Sequence, residues 1–251
     1  MRENTVKAKW RAGEMTYGAW LSIPSSFSAE VAASLGYDYV CVDTQHGVID
    51  YSTAVPMLQM IGASGSIPFI RVPFNDFSYI GKALDAGAMG VVVPMVNNVA
   101  DARAAVNACR YHPEGARSYG PTRVSFYFGD GYYQAANREV ALCVQIETTE
   151  ALANLDAILS VPGIDAVYVG PQDLSITLGL GPGLDNGGVY EDARLKIAAA
   201  CKAHGVVAGM HANASLAAKH NAAGYQMVTI CGDHRAMMAA MEADLAQARK
   251  A

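Results

Sequence analysis

Short apolar runs alternate along the chain with longer stretches that can form amphipathic helices. The runs contain few polar residues, which is typical of parallel strands buried on both faces. Eight segments fit this pattern: Tyr17–Ile23, Tyr39–Asp43, Pro68–Val72, Gly90–Pro94, Leu142–Glu147, Ala166–Gly170, Val206–His211 and Met227–Cys231. A helical stretch follows each of them, beginning near Ser28, Ser52, Asp76, Asn98, Thr149, Glu191, Ser215 and His234. Several of these residues can cap a first turn.

Glycines mark four of the helix-to-strand connections, at Gly36, Gly87, Gly163 and Gly224. A glycine at such a position can adopt the left-handed conformation that ends a helix. Eight strand–helix units predict an α/β fold, a closed (β/α)8 TIM barrel formed by residues 1–251 as a single domain. A doubly wound open sheet is the structural alternative, but no Gly-x-Gly-x-x-Gly motif follows the first strand.

Three segments depart from the regular alternation. The connection 112–138 is rich in aromatic residues, which either cover a substrate or contact another subunit: Tyr119, Phe126, Tyr127, Phe128, Tyr132 and Tyr133. The segment 179–188 holds five glycines and belongs to the functional face, where an irregular surface loop is the simplest interpretation. Residues 235–250 predict a C-terminal helix that packs on the barrel or on another subunit.

Composition excludes several classes of protein. Hydrophobic residues make up 52% of the chain and charged residues 16%, so a large core is expected and disorder is not. The formal net charge of −5 and the absence of a basic cluster argue against nucleic-acid binding and a polybasic membrane anchor. Residues 1–14 do not resemble a signal peptide, and no apolar segment approaches the roughly 20 residues of a membrane span.

The cysteines indicate a reducing compartment. The five cysteines are odd in number and form no Cys-x-x-Cys pair. Cys41, Cys143 and Cys231 lie in apolar, strand-like runs and are expected to be buried free thiols. We therefore expect a cytoplasmic protein.

Polar residues at the strand ends are the candidates for chemistry, because the carboxyl ends of barrel strands point into a shared mouth. Glu147 ends strand five, and Asp173 follows strand six. Two carboxylates with waters suit a divalent metal that prefers oxygen ligands, such as Mg²⁺ or Mn²⁺. The alternative is that one carboxylate caps a helix and the other accepts a backbone amide.

Three further side chains extend this mouth. Asp43 and His46 lie three residues apart after strand two, where a carboxylate beside an imidazole can make a general base. The alternative is a capping aspartate and a surface histidine. Arg71 lies in an apolar strand and requires an anion, either a substrate oxygen or another barrel residue. His211 either lines the mouth or is a structural histidine.

Five motifs in order along nearly the whole chain resemble the HpcH/HpaI aldolase family, which are class II, metal-dependent pyruvate aldolases. The motifs are Val42–Gly47, Arg71–Pro73, Val93–Val96, Gln145–Thr148 and Gly170–Ser175. The chain is similar to 4-hydroxy-2-oxoheptanedioate and 2-keto-3-deoxy-sugar-acid aldolases. The segment Arg117–Arg123 resembles the hydroxy ketoacid aldolase subgroup.

The resemblance implies a metal-stabilised enolate. Glu147 and Asp173 would hold Mg²⁺ or Mn²⁺, with Co²⁺ as a further candidate, and no organic cofactor is implied. The metal would chelate the carboxylate and ketone oxygens of pyruvate or a related 2-oxo acid. Arg71 would stabilise the enolate oxygen. His46, oriented by Asp43, would move protons through a metal-bound water.

The resemblance also assigns the substrate carboxylate to the backbone of Gly170, Pro171 and Gln172. Asp85 matches an aspartate that supports the site across a subunit contact. Family members are typically hexamers, trimers of dimers with exchanged C-terminal helices. Gln45 departs from the family, which commonly has Glu there, and a glutamine can hold a water but cannot act as a base.

Cleavage of a 4-hydroxy-2-oxo acid to pyruvate and an aldehyde is thus the expected reaction. No lysine falls on a predicted strand, which argues against a Schiff-base route. A CoA-ester lyase of the citrate-lyase type is one alternative, although the long loops hold few basic residues beyond Arg117, Arg123 and Arg138. A non-catalytic barrel that binds 2-oxo acids is the other.

Overall fold

The computed structural model describes residues 1–250 and contains a closed barrel of eight parallel strands. The strands are β1 (Thr16–Leu21), β2 (Tyr39–Asp43), β3 (Ile67–Arg71), β4 (Gly90–Val93), β5 (Ala141–Ile146), β6 (Ala166–Val169), β7 (Val207–His211) and β8 (Met227–Gly232). Each strand pairs with the next, and β8 pairs with β1 to close the barrel. The predicted (β/α)8 barrel is confirmed, and the open-sheet alternative is wrong.

Helices surround the strands. They are α1 (Thr5–Arg11), α2 (Ser26–Ser34), α3 (Tyr51–Ala63), α4 (Phe77–Asp85), α5 (Val99–Cys109), α6 (Thr122–Phe128), α7 (Tyr132–Glu139), α8 (Thr149–Ala153), α9 (Leu155–Leu159), α10 (Pro171–Thr177), α11 (Gly188–His204), α12 (Ala217–Ala222) and α13 (Asp233–Ala248). A 3-10 turn, Ala214–Leu216, precedes α12. The predicted strands agree with the observed ones to within two residues at either end.

Local capping explains where several elements begin and end. The side chains of Asp76 and Asn98 accept backbone N–H groups from the first turns of α4 and α5. The four glycines at the helix-to-strand connections all have positive φ, between 86° and 104°. The prediction that these glycines end helices in the left-handed region is therefore consistent with the backbone.

Strand residues alternate between two cores. Outward-facing residues pack against the surrounding helices, whereas inward-facing residues fill the barrel. The inner core includes Tyr39, Phe69 and Tyr168, all buried. Helix α1, which the apolar pattern did not predict, joins this inner core through Val6 and Trp10. Only two of its seven residues contribute to this core, so the sequence shows no apolar periodicity that would indicate a helix there.

The cysteine prediction is correct for two residues and too strong for the third. Cys41 and Cys143 are buried free thiols inside the barrel, whereas Cys231 is only partly buried. Cys231 lies near the end of β8, where the strand reaches the open mouth.

Close packing inside the barrel leads to a stability prediction. A Cβ built on Gly90 would lie 2.2 Å from Cε1 of the buried Phe69 ring on the paired strand. We expect Gly90→Ala to lower the free energy of unfolding by about 1–3 kcal/mol, because the filled interior cannot accept the methyl group without strain. Urea unfolding would measure the change. Gly81→Ala, in α4 with open space at its Cβ, is the control and should not destabilise the protein. Equal stability of Gly90→Ala and the wild type would contradict the packing argument.

The long connection 112–138 lies away from the mouth. It joins α5 to the beginning of β5, so it sits at the amino-terminal ends of the strands. It is not an irregular loop, since it forms α6 and α7. Tyr111, Val124 and Tyr132 build a small core there. None of the six aromatic residues singled out in this connection lines the mouth cavity, so within this chain they do not cover a substrate.

The interpretation of residues 179–188 as an irregular surface loop is confirmed, because none of these residues is buried and no helix or strand forms before Gly188. The glycine-rich segment 179–188 does not line the mouth cavity and is tied to α12 by an ion pair between Asp185 and Lys219 of 2.7 Å. The C-terminal helix forms as predicted, but only its first turn lies against its own barrel, where it borders the mouth. No residue of α13 is buried, and its exposed apolar side chains are Met237, Met238, Met241 and Leu245. Packing on another subunit stays a prediction.

Within residues 1–250, no helix combines the length and the apolar character needed to cross a lipid bilayer.

Candidate active site

A cavity of about 1050 Å³ opens at the carboxyl ends of the strands. It brings together most of the side chains predicted to form the site: Asp43, His46, Arg71, Glu147, Gly170, Pro171, Gln172, Asp173 and His211. They come from five strand ends that are far apart in sequence, and barrel closure alone makes them neighbours. Gln45 and Asp85 do not line this cavity.

Arg71 and Asp43 form a bidentate ion pair at the base of the mouth. Nε of Arg71 donates to Oδ1 of Asp43 at 2.9 Å, and Nη2 donates to Oδ2 at 2.6 Å. The two residues are register partners on β2 and β3. Burial opposes both charges, but the pair outweighs it, so the pKa of Asp43 is lowered and that of Arg71 is raised. Both groups are charged at neutral pH.

This pair corrects the predicted partnership of Asp43 with His46. The carboxylate of Asp43 contacts Arg71 and also accepts the backbone N–H groups of Gln45 and His46, at 3.1 and 3.3 Å. Its hydrogen bonds therefore orient the loop and the arginine, not the imidazole. The side chain of His46 is exposed at the mouth. The physical reason is register: the strand neighbour Arg71 offers a rigid fork that satisfies both carboxylate oxygens.

Glu147 is the buried carboxylate of the site. Oε1 accepts the backbone N–H of Met95 at 2.8 Å, and Oε2 accepts Nε2 of Gln145 at 2.7 Å. Met95 adopts a left-handed φ of 55°, which is uncommon for a residue other than glycine. Burial is the main cause that raises the pKa of Glu147 to about 7, and the negative charge of Asp173 raises it further. A cation bound beside Glu147 would therefore favour its deprotonated form.

Gly170 makes room for this carboxylate. A Cβ at Gly170 would lie 2.3 Å from Oε2 of Glu147 and 3.1 Å from Nε2 of Gln145. Helix α10 begins immediately afterwards at Pro171, and no side chain caps its first turn. Asp173 lies in that turn and is exposed to the cavity. The strand end of β6 therefore presents backbone and one carboxylate next to Glu147.

The residues present fit a divalent cation that prefers oxygen. Both carboxylates face one cavity, and the charge of Asp173 acts directly on Glu147. The buried Oε1 of Gln145 has no hydrogen-bond partner in the described residues. No group of three or more His, Cys, Asp or Glu side chains within residues 1–250 is arranged to bind a metal. Two carboxylates would leave the remaining positions to water or substrate, as is usual for Mg²⁺.

Aromatic residues form a wall that the sequence analysis did not identify. The ring of Trp20 stacks on Tyr168 with centroids 5.4 Å apart, and Cζ of Arg71 lies 4.9 Å from the Trp20 centroid. Tyr168 donates to or accepts from Thr229 at 2.6 Å and Nδ1 of His211 at 3.1 Å. Trp20 and Tyr168 lie on predicted strands, but hydrophobicity alone does not say which faces of a strand point inward.

His211 belongs to this wall and is neutral at neutral pH. Burial and the positive charge of Arg71 lower its pKa from 6.5 to about 4. Its ring meets Trp20 edge-on, with centroids 5.1 Å apart. Of the two alternatives, His211 both lines the cavity and makes structural contacts.

The pKa of His211 predicts acid sensitivity. In the unfolded chain the imidazole binds a proton near pH 6.5, whereas in the folded protein it stays neutral down to about pH 4. The contribution of neutral His211 to stability is therefore complete above pH 6.5 and is lost as the pH falls through this window, by on the order of 2 kcal/mol at pH 5. Urea unfolding at pH 7 and pH 5 should show a smaller loss for His211→Gln than for the wild type. Identical losses would contradict this. His220, whose pKa is also lowered to about 4, leaves a residual effect in both proteins.

Gln45 and Asp85 occupy other environments. Oε1 of Gln45 is buried without a partner in the described residues, beside the mouth but not in its wall. Asp85 lies at the end of α4 and pairs with the buried Arg117 at 2.7 Å. The Asp85 side chain is 34% exposed, so it remains accessible from outside this chain. Within one chain neither residue contacts the cavity.

Comparisons with known proteins find relatives along nearly the whole chain. A family model described as HpcH/HpaI aldolase/citrate lyase matches residues 16–240. A hydroxypyruvate/pyruvate aldolase of Rhizorhabdus wittichii is 40% identical over 251 residues, covering 98% of this chain and 99% of that protein. A 4-hydroxy-2-oxo-heptane-1,7-dioate aldolase of Shigella sonnei is 38% identical, covering 96% of this chain and 93% of its own. A solved HpcH/HpaI aldolase/citrate lyase family protein of Burkholderia cenocepacia superposes with a TM-score of 0.92 at 32% identity, covering 98% and 99% of the two chains.

Proposed function

The chain belongs to the HpcH/HpaI aldolase/citrate lyase family, and we propose that it catalyses reversible aldol cleavage of 4-hydroxy-2-oxo acids. The products are pyruvate, or a related 2-oxo acid, and an aldehyde. The enzyme is thus a carbon–carbon lyase. One observation carries the proposal: a buried carboxylate, a second carboxylate and a paired arginine share one cavity at the carboxyl ends of the strands.

Glu147 and Asp173 are the residues that would hold a divalent metal, Mg²⁺ or Mn²⁺, with Co²⁺ as a further candidate. When bound, the metal supplies a positive charge that polarises the ketone of the 2-oxo acid and lowers the cost of an enolate. Gln145 and the backbone of Met95 hold Glu147 in place through hydrogen bonds to its two oxygens. No organic cofactor is required by this proposal.

Arg71 stabilises the negative charge that develops on the enolate oxygen. Asp43 occupies Nε and Nη2 of the guanidinium, which leaves Nη1 for the substrate. The bidentate pair fixes the fork before the substrate binds, so little reorganisation is needed during the reaction. Asp43 therefore acts as a positioning residue for Arg71. The segment Gly170, Pro171 and Gln172 binds the substrate carboxylate through the N–H groups of Gly170 and Gln172, because Pro171 has none to donate.

His46 moves the protons. In cleavage it takes the proton of the 4-hydroxyl group, directly or through one water, as the bond between C3 and C4 breaks. The electrons of that bond form the enolate of pyruvate, and C4 becomes the aldehyde carbon. A proton then returns to C3 and gives pyruvate. None of the lysines in residues 1–250 lines the cavity, so no amine is present there to form an imine with the ketone.

Metal removal tests the proposal. Solvent deuterium should exchange into the methyl group of pyruvate in the presence of Mg²⁺ or Mn²⁺, because reversible enolate formation does not require an aldehyde. We expect EDTA to reduce this exchange to background, and Mg²⁺ or Mn²⁺ to restore it, as followed by proton NMR. Exchange that survives complete metal removal would rule out a metal-dependent enolate. No exchange with any metal would favour the non-catalytic binding barrel.

The CoA-ester lyase alternative requires cations for the phosphates of CoA. The three arginines of the long connection are engaged elsewhere: Arg117 with Asp85, Arg123 with the carbonyl of Ala86, and Arg138 with Glu139. None of these arginines lines the mouth. Parallel assays of malyl-CoA and a 4-hydroxy-2-oxo acid would decide between the two reactions, and we expect cleavage of the 4-hydroxy-2-oxo acid.

We further propose a cytoplasmic homo-oligomer, a hexamer built as a trimer of dimers in which residues 235–250 pack on another subunit. The exposed apolar side chains of α13 support its packing on another subunit. The free thiols support a reducing compartment. Asp85, accessible at the surface and held by Arg117, would support a neighbouring subunit's site. Light scattering should give six times the chain mass, and a monomer would contradict the assembly.

A further inference from the structure

A chain of hydroxyl groups runs through the interior of the barrel and ends at the mouth. The hydroxyl of Tyr39 lies 2.9 Å from Oγ1 of Thr229, and the hydroxyl of Tyr168 lies 2.6 Å from the same oxygen. Tyr168 also lies 3.1 Å from Nδ1 of His211. The two tyrosines and the threonine are buried, whereas His211 is half-buried and lines the cavity. The chain therefore connects the closed interior with an imidazole at the mouth.

The direction of this chain fixes the tautomer of His211. Within residues 1–250 the hydroxyl of Tyr39 has no hydrogen-bond partner other than Thr229, so it donates its proton there. Thr229 then donates to Tyr168, and Tyr168 donates to Nδ1 of His211. The reverse direction would leave the buried O–H group of Tyr39 without an acceptor, which costs free energy. A neutral imidazole that accepts at Nδ1 carries its proton on Nε2.

The Nε2–H group of His211 opens into the cavity. Nε2 has no hydrogen-bond partner in the described residues, yet it is not buried, whereas both ring nitrogens of His220 are buried and unpartnered. Because His211 lines the mouth, the accessible nitrogen faces the space in which a substrate binds. The lowered pKa of His211 keeps the ring neutral near pH 7. The ring therefore offers the cavity one hydrogen-bond donor and no acceptor.

His211 lies beside the groups that hold the 2-oxo acid in the proposed reaction. The pairing of β6 with β7 places His211 at the level of Gly170. The ring of His211 meets Trp20 with centroids 5.1 Å apart, and Cζ of Arg71 lies 4.9 Å from the same Trp20 centroid. Two donors, a guanidinium and a neutral imidazole, thus contact one aromatic ring in the wall of the cavity.

Addition of an enolate to an aldehyde moves negative charge from one oxygen to another. As C3 of the enolate attacks the aldehyde carbon, the C3–C4 bond forms and the π electrons of the carbonyl group pass to its oxygen. Arg71 stabilises the charge at the start of this step, and His46 supplies the proton at its end. In between, the aldehyde oxygen carries developing charge, and a hydrogen-bond donor placed there lowers the barrier.

We propose that His211 is a catalytic residue of the carbon–carbon bond step whose Nε2–H donates to the aldehyde oxygen, with Tyr168 as the positioning residue that fixes its tautomer. This inference rests on the proposed aldolase function. A neutral imidazole suits the role because it polarises a carbonyl group without giving up its proton. The role is confined to the bond-forming step, because enolate formation from pyruvate involves no aldehyde oxygen.

Two rates measured on each variant separate the two steps. They are kcat/KM for addition of pyruvate to acetaldehyde, whose only polar atom is the carbonyl oxygen, and the rate of solvent exchange at the methyl group of pyruvate. We expect His211→Leu to lower the ratio of addition to exchange roughly 100-fold, as the loss of one donor to a developing oxyanion implies. His211→Gln keeps an N–H donor and an acceptor for Tyr168, so it should recover part of the ratio. His204→Leu is the control, because His204 is an exposed residue at the end of α11 outside the cavity, and its ratio should equal that of the wild type.

The tautomer is measured independently of activity. Magic-angle-spinning NMR of protein labelled with ¹⁵N-histidine distinguishes a protonated from an unprotonated ring nitrogen, and the signal of the six histidines that is lost in His211→Gln belongs to His211. We expect the wild type to carry the proton on Nε2. Tyr168→Phe removes the donor to Nδ1, so the Nδ1–H form should appear and the ratio of addition to exchange should fall. A wild type with the proton on Nδ1 would contradict the assignment.

The outcomes distinguish this inference from the aldolase function. If the wild type exchanges and adds, but His211→Leu lowers both rates equally or changes neither, the assignment of His211 is wrong and the aldolase function stands. A loss seen with glycolaldehyde but not with acetaldehyde would also overturn it, because the donor would then bind a hydroxyl group instead of the reacting oxygen. If the wild type neither exchanges protons nor cleaves a 4-hydroxy-2-oxo acid, the aldolase function itself fails, and the role of His211 fails with it.

Discussion

We expect Arg71→Ala to abolish enolate formation, so that solvent exchange at the methyl group of pyruvate falls to background in the presence of Mg²⁺ or Mn²⁺. Removal of one positioned donor to an oxyanion typically costs about 10²–10³ in rate. In this site the loss is greater, because Asp43 also loses its bidentate partner. The substitution also removes the positive charge of Arg71, which lowers the pKa of Glu147. Exchange rates measured by NMR test the expectation.

The variant also loses stability, which must be separated from the loss of activity. Breaking a buried ion pair by removing one partner costs roughly 3–5 kcal/mol. Arg71→Lys keeps the positive charge without the planar fork, so it should fold better and recover only part of the exchange. Circular dichroism would establish that both variants are folded. A near-normal exchange rate in folded Arg71→Ala would show that Arg71 does not stabilise the enolate.

Gly170→Ala should reduce kcat/KM for cleavage by roughly 100-fold, the scale expected when a reacting group is displaced by about 1 Å. The new methyl group would lie 2.3 Å from Oε2 of Glu147, so the carboxylate has to move. That displacement also disturbs its hydrogen bond from Gln145. We expect metal affinity, measured by competition with a chelator, to fall about 10–100-fold as well.

Gly181→Ala is the matched control for this substitution. Gly181 has open space at its Cβ and no left-handed φ, and it lies outside the cavity wall. The methyl group there should change neither metal affinity nor turnover. Wild-type metal affinity and activity in Gly170→Ala would contradict the prediction that metal binding and turnover depend on the position of Glu147.

Much of the barrel could be predicted from sequence because its strands are buried on both faces. A continuous apolar run such as β2 is a local property, and its end at Asp43 was predicted to the residue. The positive φ of Gly36 or Gly224 is similarly local, since only glycine adopts it without strain. Helix α1 was not predicted because the residues it buries pack against the interior of the barrel, a surface that forms only when the strands have come together.

The sequence predicted which residues form the site, but not which of them pair with each other through hydrogen bonds. Position at a strand end was enough to select Glu147, Asp173 and Arg71, since parallel strands in a barrel deliver their ends to one mouth. The hydrogen-bond partners of Asp43 were not. Sequence proximity favoured His46, three residues away, whereas the register between β2 and β3 places Arg71 directly beside it.

The sequence by itself determined the strands, the turns and the list of polar groups at the mouth, because apolar periodicity and glycine conformation act over a few residues. Only the tertiary structure decided that Asp43 holds Arg71 and that Trp20 and Tyr168 form the wall. These relations depend on inter-strand register and on which face of each strand points inward. Both are set when the barrel closes and not by any single segment.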